Sequence, residues 1–228
     1  MTSVVVRVWL PDRPGALGQV ASRIGAVGGD VVGIDILERG GGRAVDELVV
    51  SLPSEGLVPL LVQEIGEVDG ADVEDVRPLE DPGHDPRVDA LETAAILVGA
   101  STVGDLLDAL CEHGARVLGA SWVTVIQPQV GDVLAAVGSV PAAAWLAAFV
   151  EGSRSTGPTT CAADDVVWAP LPASGLALVC GRDGTTFRAR ERRQAMALAR
   201  IVDTRVRELA ALSRARHPST ARRQGPAS

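Results

Sequence analysis

Hydrophobic and polar positions alternate in two different periods along the first 80 residues. At some segments every second residue is apolar, which is typical of strands, and at others apolar residues recur every three or four positions, which indicates helices. The strands and helices alternate as β-α-β-β-α-β, the split arrangement of ferredoxin-like folds. The predicted elements span residues 4–10, 17–27, 31–38, 44–52, 57–68 and 73–76.

Proline and glycine mark the ends of these elements. The stretch before the first helix is a turn, in which Asp12 is predicted to accept hydrogen bonds from the first free N–H groups of the helix and Pro14 suits its first turn. Gly28 and Gly29 are expected to end this helix, because glycine adopts the left-handed conformation without strain. Three glycines at 40–42 predict a hairpin loop between the second and third strands.

One face of the predicted sheet is left open, since both helices of this arrangement cover the other face. Val5 and Trp9 alternate with the helix-facing residues of the first strand, so they lie on the open face. We expect this apolar patch to be buried against another subunit or against the second domain. Local shielding of the tryptophan is the alternative.

A second domain is predicted over residues 88–213, after residues 1–80 and a linker at 81–87 that contains proline and glycine. Thr102 is predicted to cap a helix that ends at Gly114, with Asp105 three residues after the cap. The predicted elements are helices at 88–98, 102–114, 141–150 and from about 188 onward, strands at 120–127, 133–137, 166–169 and 176–180, and a loop at 151–164.

The long last helix carries apolar residues at intervals of three and four. Such a seam pairs with a twin helix or packs on the sheet of its own domain, and the pattern leaves both arrangements open. From Ser213 onward the residues are small, polar and rich in arginine, so 214–228 are predicted to form a disordered tail. The seam consists of Ala195, Leu198, Val202, Leu209 and Leu212.

The composition excludes several classes of enzyme. The chain contains no lysine, asparagine or tyrosine, and all 21 basic residues are arginine. A P-loop needs a lysine on the phosphates, pyridoxal phosphate enzymes need a Schiff-base lysine, and many dehydrogenases use a tyrosine with a lysine. Of the three histidines, His84 lies in the linker, His113 is expected at a helix C-terminus and His217 lies in the tail. We therefore predict no catalytic residues and no cofactor.

The cysteines Cys111, Cys161 and Cys180 are odd in number and widely spaced, so they indicate neither a disulfide framework nor a metal site. Scattered thiols and the absence of a signal-peptide pattern favour a cytoplasmic location. Residues 133–150 are free of charge and just reach the length of a membrane span, but Pro141 and the residues before it interrupt the run. A strand, a turn and a helix explain this segment better, and we expect no membrane partner.

The net charge of −8 is unevenly distributed. Residues 1–85 have 6 arginines and 16 acidic residues, a net of −10, and residues 86–184 have 4 and 10, a net of −6. Residues 185–228 have 11 arginines and 3 acidic residues, a net of +8. The acidic bulk argues against nucleic acid as the main partner, and only the basic C-terminal end leaves room for RNA, DNA or anionic lipid.

The first 80 residues resemble an ACT domain, the small-molecule-sensing module of amino-acid metabolism. The resemblance covers the whole βαββαβ unit. Its most specific parts are Asp12-Arg13-Pro14-Gly15-Ala16-Leu17, between the first strand and helix, and Gly28-Gly29-Asp30-Val31-Val32, which leads into the second strand.

This resemblance implies a ligand site at the turn before the first helix. Free N–H groups and the positive helix end suit the carboxylate of an amino acid, and glycine lets the ligand approach the backbone. ACT domains usually pair edge to edge, so a homodimer is implied, in which the ligand lies between this turn and the second strand of the partner. The implied ligand-binding residues are Asp12, Arg13, Pro14, Gly15, Ala16, Leu17, Gly33, Ile34 and Asp35.

Each of these roles has a structural alternative. Asp35 is implied to bind the ligand's ammonium group, but it is otherwise a solvated strand residue. Asp12 is otherwise only a helix cap, and Gly15 only serves the turn. Phenylalanine-binding members carry a Glu-Ser-Arg-Pro motif on the second strand, whereas residues 35–38 read Asp-Ile-Leu-Glu here, so the resemblance does not extend to phenylalanine.

Residues 86–213 resemble a GAF domain. The resemblance rests on Gly181-Arg182-Asp183-Gly184-Thr185-Thr186-Phe187, which precedes a long closing helix, and on the two helices before the first strand. The signature residues of cyclic-nucleotide binding and a bilin-attachment cysteine are absent from this segment. The resemblance implies an antiparallel sheet flanked by helices, which either binds a ligand or serves dimerisation.

Together these observations predict an α+β chain that is a non-catalytic, dimeric regulatory protein. Its ACT-like domain would bind an amino acid or a related small metabolite, and binding would alter the GAF-like domain or a partner. The alternative is an interaction adaptor without a ligand, in which both domains only dimerise and dock partners.

Overall fold

The computed structural model of the chain describes residues 1–79, 85–156 and 165–216. These residues form an α+β structure with two four-stranded sheets, and all of the strand pairings are antiparallel, which confirms the predicted fold class. The chain divides into two compact units. Unit 1 combines residues 1–85 with residues 185–193, and unit 2 consists of the rest.

Unit 1 contains the βαββαβ arrangement that the periodicity predicts. Its sheet has the strand order β2-β3-β1-β4, so β2 and β4 are the edges. Its elements are β1 (Thr2–Pro11), α1 (Ala16–Ala26), β2 (Asp30–Gly40), β3 (Arg43–Leu52), a 3₁₀ turn (Glu55–Leu57), α2 (Val58–Gly66) and β4 (Asp72–Pro78).

The core of unit 1 lies between the sheet and its two helices. Every second residue of β1 from Val4 to Leu10 is buried there, because alternate side chains of a strand point to the same face. Val20 and Ile24 of α1 belong to this core, at the spacing of one helical turn. Gly41 and Gly42 form the predicted hairpin turn, with φ values of 60° and 77° that favour glycine.

Unit 2 contains a second sheet with the strand order β6-β5-β8-β7. The helix α6 begins in unit 1 and continues in unit 2 from Gln194. The elements after β4 are α3 (Pro86–Gly99), α4 (Val103–Leu118), β5 (Trp122–Gln127), β6 (Asp132–Val137), α5 (Ala143–Thr156), β7 (Val166–Leu171), β8 (Leu176–Gly181) and α6 (Ala189–Arg216).

The core of unit 2 includes a cluster of aliphatic and aromatic side chains between α5 and the sheet. Leu146 and Val150 of α5 pack with Trp168 and other residues of the sheet. The ring of Trp122 lies so close to Gly181 that a Cβ there would be 2.2 Å from it, so only glycine fits at this position. The hydroxyl of Thr102 accepts a hydrogen bond from the Asp105 N–H at 3.1 Å, as predicted.

Several predicted boundaries in unit 2 differ from the structure. The helix α4 does not end at Gly114 but continues to Leu118, because Gly114 is buried in the packed helix and Gly119 adopts the left-handed conformation that ends it. Residues 151–156, expected in a loop, complete α5, and α6 extends to Arg216 into the predicted tail. The remaining parts of the loop and tail, with Cys161 and His217, lie outside the described residues.

The seam of α6 packs within its own chain. Ala195, Leu198, Val202 and Leu209 are buried, whereas Leu212 is exposed. The structure therefore supports packing on the helix's own unit for the first four residues. The predicted linker at 81–87 lies mostly outside the described residues, with His84, and α3 already begins at Pro86.

Candidate ligand-binding site

The turn between β1 and α1 is held by main-chain hydrogen bonds. The Asp12 N–H donates to the Gly42 carbonyl at 2.9 Å, which ties the turn to the β2–β3 hairpin. The Arg13 N–H donates to the Pro11 carbonyl at 2.8 Å. These bonds place residues 12–15 at one end of the sheet, and all four of these residues are exposed.

Gly15 directs the chain from this turn into α1. Its φ of 88° lies in the left-handed region, which side chains with a Cβ adopt only at a cost, and its carbonyl accepts the first helical hydrogen bond, from Gln19, at 3.0 Å. Nothing lies within 4 Å of the position that a Cβ would occupy at Gly15. The glycine therefore serves the backbone conformation and also leaves open space beside the helix N-terminus.

The first turn of α1 exposes hydrogen-bond donors. An α-helix leaves its first N–H groups without an acceptor inside the helix, and here these include Leu17 and Gly18. Within the described residues, no side chain caps this helix, so the prediction that Asp12 caps it is wrong. Asp12 stands three residues before the N-cap Gly15, and the chain turns away between them.

The other predicted residues of the turn divide into exposed and anchoring ones. Arg13 is half exposed and lies 3.9 Å from the carboxylate of Asp69, a contact that contributes little stability in solvent. Ala16 is buried, and Leu17 packs against the core of unit 1. The two apolar residues therefore fix the start of α1, while residues 12–15 present the turn to solvent.

The predicted strand residues lie on β2, at the edge of the sheet. Gly33 follows a β-bulge, where the register with β3 shifts, and Ile34 is partly exposed. Within one chain, β3 lies between β2 and β1. The structure therefore does not place Gly33, Ile34 and Asp35 beside the turn of the same chain.

Asp35 lies in a row of charged side chains across the open face of the sheet. The register places Asp35, Glu47, Arg7 and Asp75 opposite one another on the four strands. Asp35 forms an ion pair with Arg190, which belongs to the second piece of unit 1. A role for Asp35 in ligand binding thus competes with this ion pair.

Residues 185–193 complete the network on the open face. Arg7 is 1% exposed and donates hydrogen bonds to Glu47, at 2.8 and 3.1 Å, to the Thr186 carbonyl and to Glu191, both at 3.1 Å. The second carboxylate oxygen of Glu191 accepts the Arg188 N–H at 2.6 Å, at the start of α6. Glu191 therefore joins the helix start to the sheet.

The apolar patch that the sequence leaves on the open face is covered inside unit 1. Val5 is buried, and the ring of the partly buried Trp9 faces the guanidinium groups of Arg43 and Arg188 at 5.1 and 4.7 Å. Arg188 also forms an ion pair with Glu74. Val5 is thus buried, and Trp9 is shielded by residues of unit 1, which corresponds to the alternative of local shielding. Arg188 nevertheless lies in the range predicted for the second domain.

The charges of this network stabilise one another. Burial by itself would lower the pKa of Arg7, but Glu191 and Glu47 more than offset it, so the pKa is raised. Burial would likewise raise the pKa of Glu47, but Arg77 and Arg7 hold it below its ordinary value. Both groups therefore remain ionised at neutral pH.

Asp46, the residue before Glu47, is in a very different environment that the sequence analysis overlooked. It is 4% exposed and lies opposite Val8, on the face that the helices cover. Burial raises the pKa of its carboxyl, Arg39 lowers it and Asp12 raises it. The missed signal was a charged residue at a core position in the alternation of residues 44–50.

Two cysteines and one histidine lie in the described part of the chain. Cys111 is buried, and burial raises the pKa of its thiol to about 12, while burial also raises the pKa of the Cys180 thiol. His113 does not lie at a helix end as expected, because α4 continues past it, and its ring bonds to Arg116 at 2.8 Å. In the described ranges, no group of three metal-ligating side chains occurs.

No protein-family model matches the chain, and no curated protein matches it. Among the described residues, no helix is long and apolar enough to cross a membrane.

Solved structures of low sequence identity do resemble parts of the chain. An uncharacterised protein from Thermotoga maritima is 19% identical, with 35% of this chain and 98% of that protein covered and a TM-score of 0.28. The ACT domain from GTP pyrophosphokinase of Chlorobium tepidum is 18% identical, with 34% and 97% covered and a TM-score of 0.28. A bacteriophytochrome from R. palustris is 10% identical, with 81% and 44% covered and a TM-score of 0.45.

The similar structures thus include an ACT domain and a bacteriophytochrome. This chain covers less than half of the bacteriophytochrome. Because all of these TM-scores are below 0.5, the similarities assign neither a family nor a ligand.

Proposed function

We propose that the chain is a non-catalytic regulatory protein that binds an amino acid or a related small metabolite at the turn between β1 and α1. The observation that supports this proposal is the α1 N-terminus, where Gly15 opens space beside the N–H groups of Leu17 and Gly18. These donors and the positive helix end suit a ligand carboxylate. Asp12, Arg13 and Pro14 line the approach, and Ala16 fixes the helix start.

A second copy of the chain would complete the site. The strand β2 is an edge of the sheet, and an edge strand offers main-chain hydrogen-bonding groups to another strand. The apolar side chains of Val32, Ile34 and Ile36 are exposed on this edge. In the proposed dimer, Gly33, Ile34 and Asp35 of one copy lie beside the turn of the other. Binding at a shared site would couple the ligand to dimer formation.

The proposal is tested by thermal shift of the full chain against each of the twenty amino acids. A ligand that binds only the folded protein raises its melting temperature, by an amount set by its concentration relative to Kd. Gly15→Ala, which distorts the turn, should weaken binding of any amino acid that gives a shift by at least tenfold. Gly25→Ala is the matched control, because it lies on the exposed surface of the same helix with open space around it.

Two results would contradict the proposal. One is the absence of any shift with all twenty amino acids. The other is a shift that Gly15→Ala and Gly25→Ala leave equally unchanged. The dimer is tested separately by light scattering. The wild type should have the molecular mass of a dimer, and Ile34→Asp should lower that mass toward the mass of a monomer.

A specific observation favours the adaptor as a second candidate function. The helix α3 exposes Val88, Leu91, Ile96 and Val98, with Leu91 72% exposed, and Val98 also lines a groove of about 400 Å³ with residues of α6 such as Ile201. Val88, Leu91 and Val98 share one face of the helix, and exposed apolar side chains grouped in this way are typical of a protein-binding surface. Leu91→Glu should lower the molecular mass seen by light scattering if unit 2 serves dimerisation, and an unchanged mass would contradict this function.

A further inference from the structure

Asp46 is a charged residue at a core position of β3. Its register partners are Val8 on β1 and Ile36 on β2, so its side chain lies on the sheet face that α1 and α2 cover. Its neighbours on that face along the strand, Ala44 and Leu48, are buried core residues. A carboxylate therefore occupies a place in the alternation that elsewhere holds apolar side chains.

The buried Oδ1 of Asp46 gains no hydrogen bond from the residues that the structure describes. Over residues 1–79, 85–156 and 165–216, its buried Oδ1 has no hydrogen-bond partner. A buried polar atom that loses water without gaining a partner destabilises the fold, and a charged one does so most strongly. Buried polar groups in native proteins are nearly always bonded, so this exception calls for a physical reason.

The surroundings of Asp46 relate it to the ligand turn. Its carboxyl interacts electrostatically with Asp12, which belongs to that turn, and with Arg39 of β2. Asp12 is exposed, and its N–H is bonded to the β2–β3 hairpin that precedes Asp46. Asp46 itself lies on the sheet face that α1 covers, two residues after Ala44, whose register partner Leu10 stands near the end of β1, just before the turn.

We infer that Asp46 binds the protonated amine of the ligand, while the α1 N-terminus binds the ligand's carboxylate. The ligand class is then the α-amino acids, whose ammonium and carboxylate groups are attached to the same carbon. Compounds with the same side chain and a hydroxyl in place of the amine lack the positive charge that offsets the buried carboxylate. This inference rests on the proposed function and changes the residue that recognises the amine from Asp35 to Asp46.

The ion pairs and hydrogen bonds of the two residues favour Asp46 over Asp35 as the group that binds the amine. Asp35 already pairs with Arg190, and it lies on the opposite sheet face. A ligand amine at Asp35 would have to displace a guanidinium group. At Asp46 the amine would instead supply a hydrogen bond and a counter-charge to an atom that, in the described part of the chain, has no hydrogen-bond partner.

The test uses calorimetric titration of the full chain with amino acids and their 2-hydroxy acid counterparts, such as alanine with lactate and valine with 2-hydroxyisovalerate. We expect at least one amino acid to bind at least tenfold more tightly than its hydroxy acid. Asp46→Asn should remove most of that preference and weaken amino-acid binding at least tenfold. Asp30→Asn, an exposed carboxamide substitution at the start of β2, should bind like the wild type.

The possible outcomes distinguish the role of Asp46 from the existence of a ligand site at the turn. Equal binding of amino and hydroxy acids, or full affinity in Asp46→Asn, overturns the role of Asp46 while leaving a ligand site at the turn. Binding of none of these compounds overturns the proposed function itself. Asp46→Asn replaces a buried charge with a neutral group of the same shape, so it should fold, and circular dichroism with a cooperative melting transition verifies this directly.

Discussion

The two faces of the unit 1 sheet place buried carboxylates in opposite environments. Glu47 and Asp46 are consecutive residues of β3, so they point to opposite faces. Glu47 is bonded to Arg7 and Arg77, each at 2.8 Å, and its pKa is lowered. The pKa of Asp46 is raised by burial, and over the described ranges its Oδ1 has no hydrogen-bond partner.

This difference distinguishes charges that stabilise the fold from a charge that we assign to ligand binding. On the open face every member of the Arg7 network has a counter-charge from another strand or from residues 185–193, so the network can be explained by folding alone. On the helix face the charge of Asp46 lowers stability, because its burial outweighs the attraction of Arg39. Such a residue is best explained by a group that the protein meets only when it binds something.

The largest expected effect comes from removing the centre of the network. Arg7→Met leaves the buried carboxylate of Glu191 without its arginine, so the free energy of unfolding should fall by about 3 to 5 kcal/mol. Arg23→Met, which removes a partly exposed ion pair with Glu64, should cost less than about 1 kcal/mol. Urea denaturation measures both, and similar small losses would show that the open face is not held by its charges.

A smaller effect is expected at the helix that closes the network. Glu191→Gln loses the charge that pairs with Arg7 and weakens the bond to the Arg188 N–H, so it should cost roughly 2 kcal/mol. Glu208→Gln is the matched control on the same helix, because Glu208 pairs with Arg205 in a more exposed position. Equal midpoints of thermal unfolding for the two variants would contradict the structural role of Glu191.

The smallest effect is the dependence of the helix-face charge on pH. The raised folded pKa of Asp46 means that its penalty is fully present at neutral pH and is relieved as the pH falls through that pKa toward the ordinary value of 3.8. The charged groups that act on it are Asp12 and Arg39. Asp46→Asn should therefore melt above the wild type at pH 7, and this advantage should shrink on acidification.

Glu47 should change stability with pH in the opposite direction in the same experiment. Its lowered pKa stabilises the fold above its ordinary value of 4.5, and this contribution is lost only as the pH falls below it toward the folded pKa. The wild-type melting temperature should thus fall steeply below pH 4.5. An Asp46→Asn advantage that is constant from pH 7 to pH 4 would contradict the assignment of the helix-face charge.

Local pattern was sufficient to predict the elements of both units. The alternation in β1, the spacing in α1 and the glycines of the β2–β3 hairpin all correspond to observed structure, because each depends on neighbours within a few residues. Gly114 shows the limit of such rules. A glycine that looks like a helix end is kept inside α4 by burial, which local pattern does not reveal.

The charges of the candidate site depend on long-range contacts. Nothing near Glu191 in the sequence indicates that it meets Arg7, which lies 184 residues away. The turn at 12–17 was predictable because its glycine and proline act locally, but the assignment of Asp12 as a cap was not correct. Asp46 could have been noticed as a break in the apolar alternation, although its partners could not have been.

The division of unit 1 into two pieces also sets an order of events during synthesis. Arg7 and Glu47 leave the ribosome early, whereas Glu191 follows only after residues 86–184 have been made. At about 5 to 20 residues per second, the delay between Glu47 and Glu191 is roughly 7 to 29 s. For that time Arg7 and Glu47 lack the contact that Glu191 later makes with Arg7, and their ionised side chains are solvated by water.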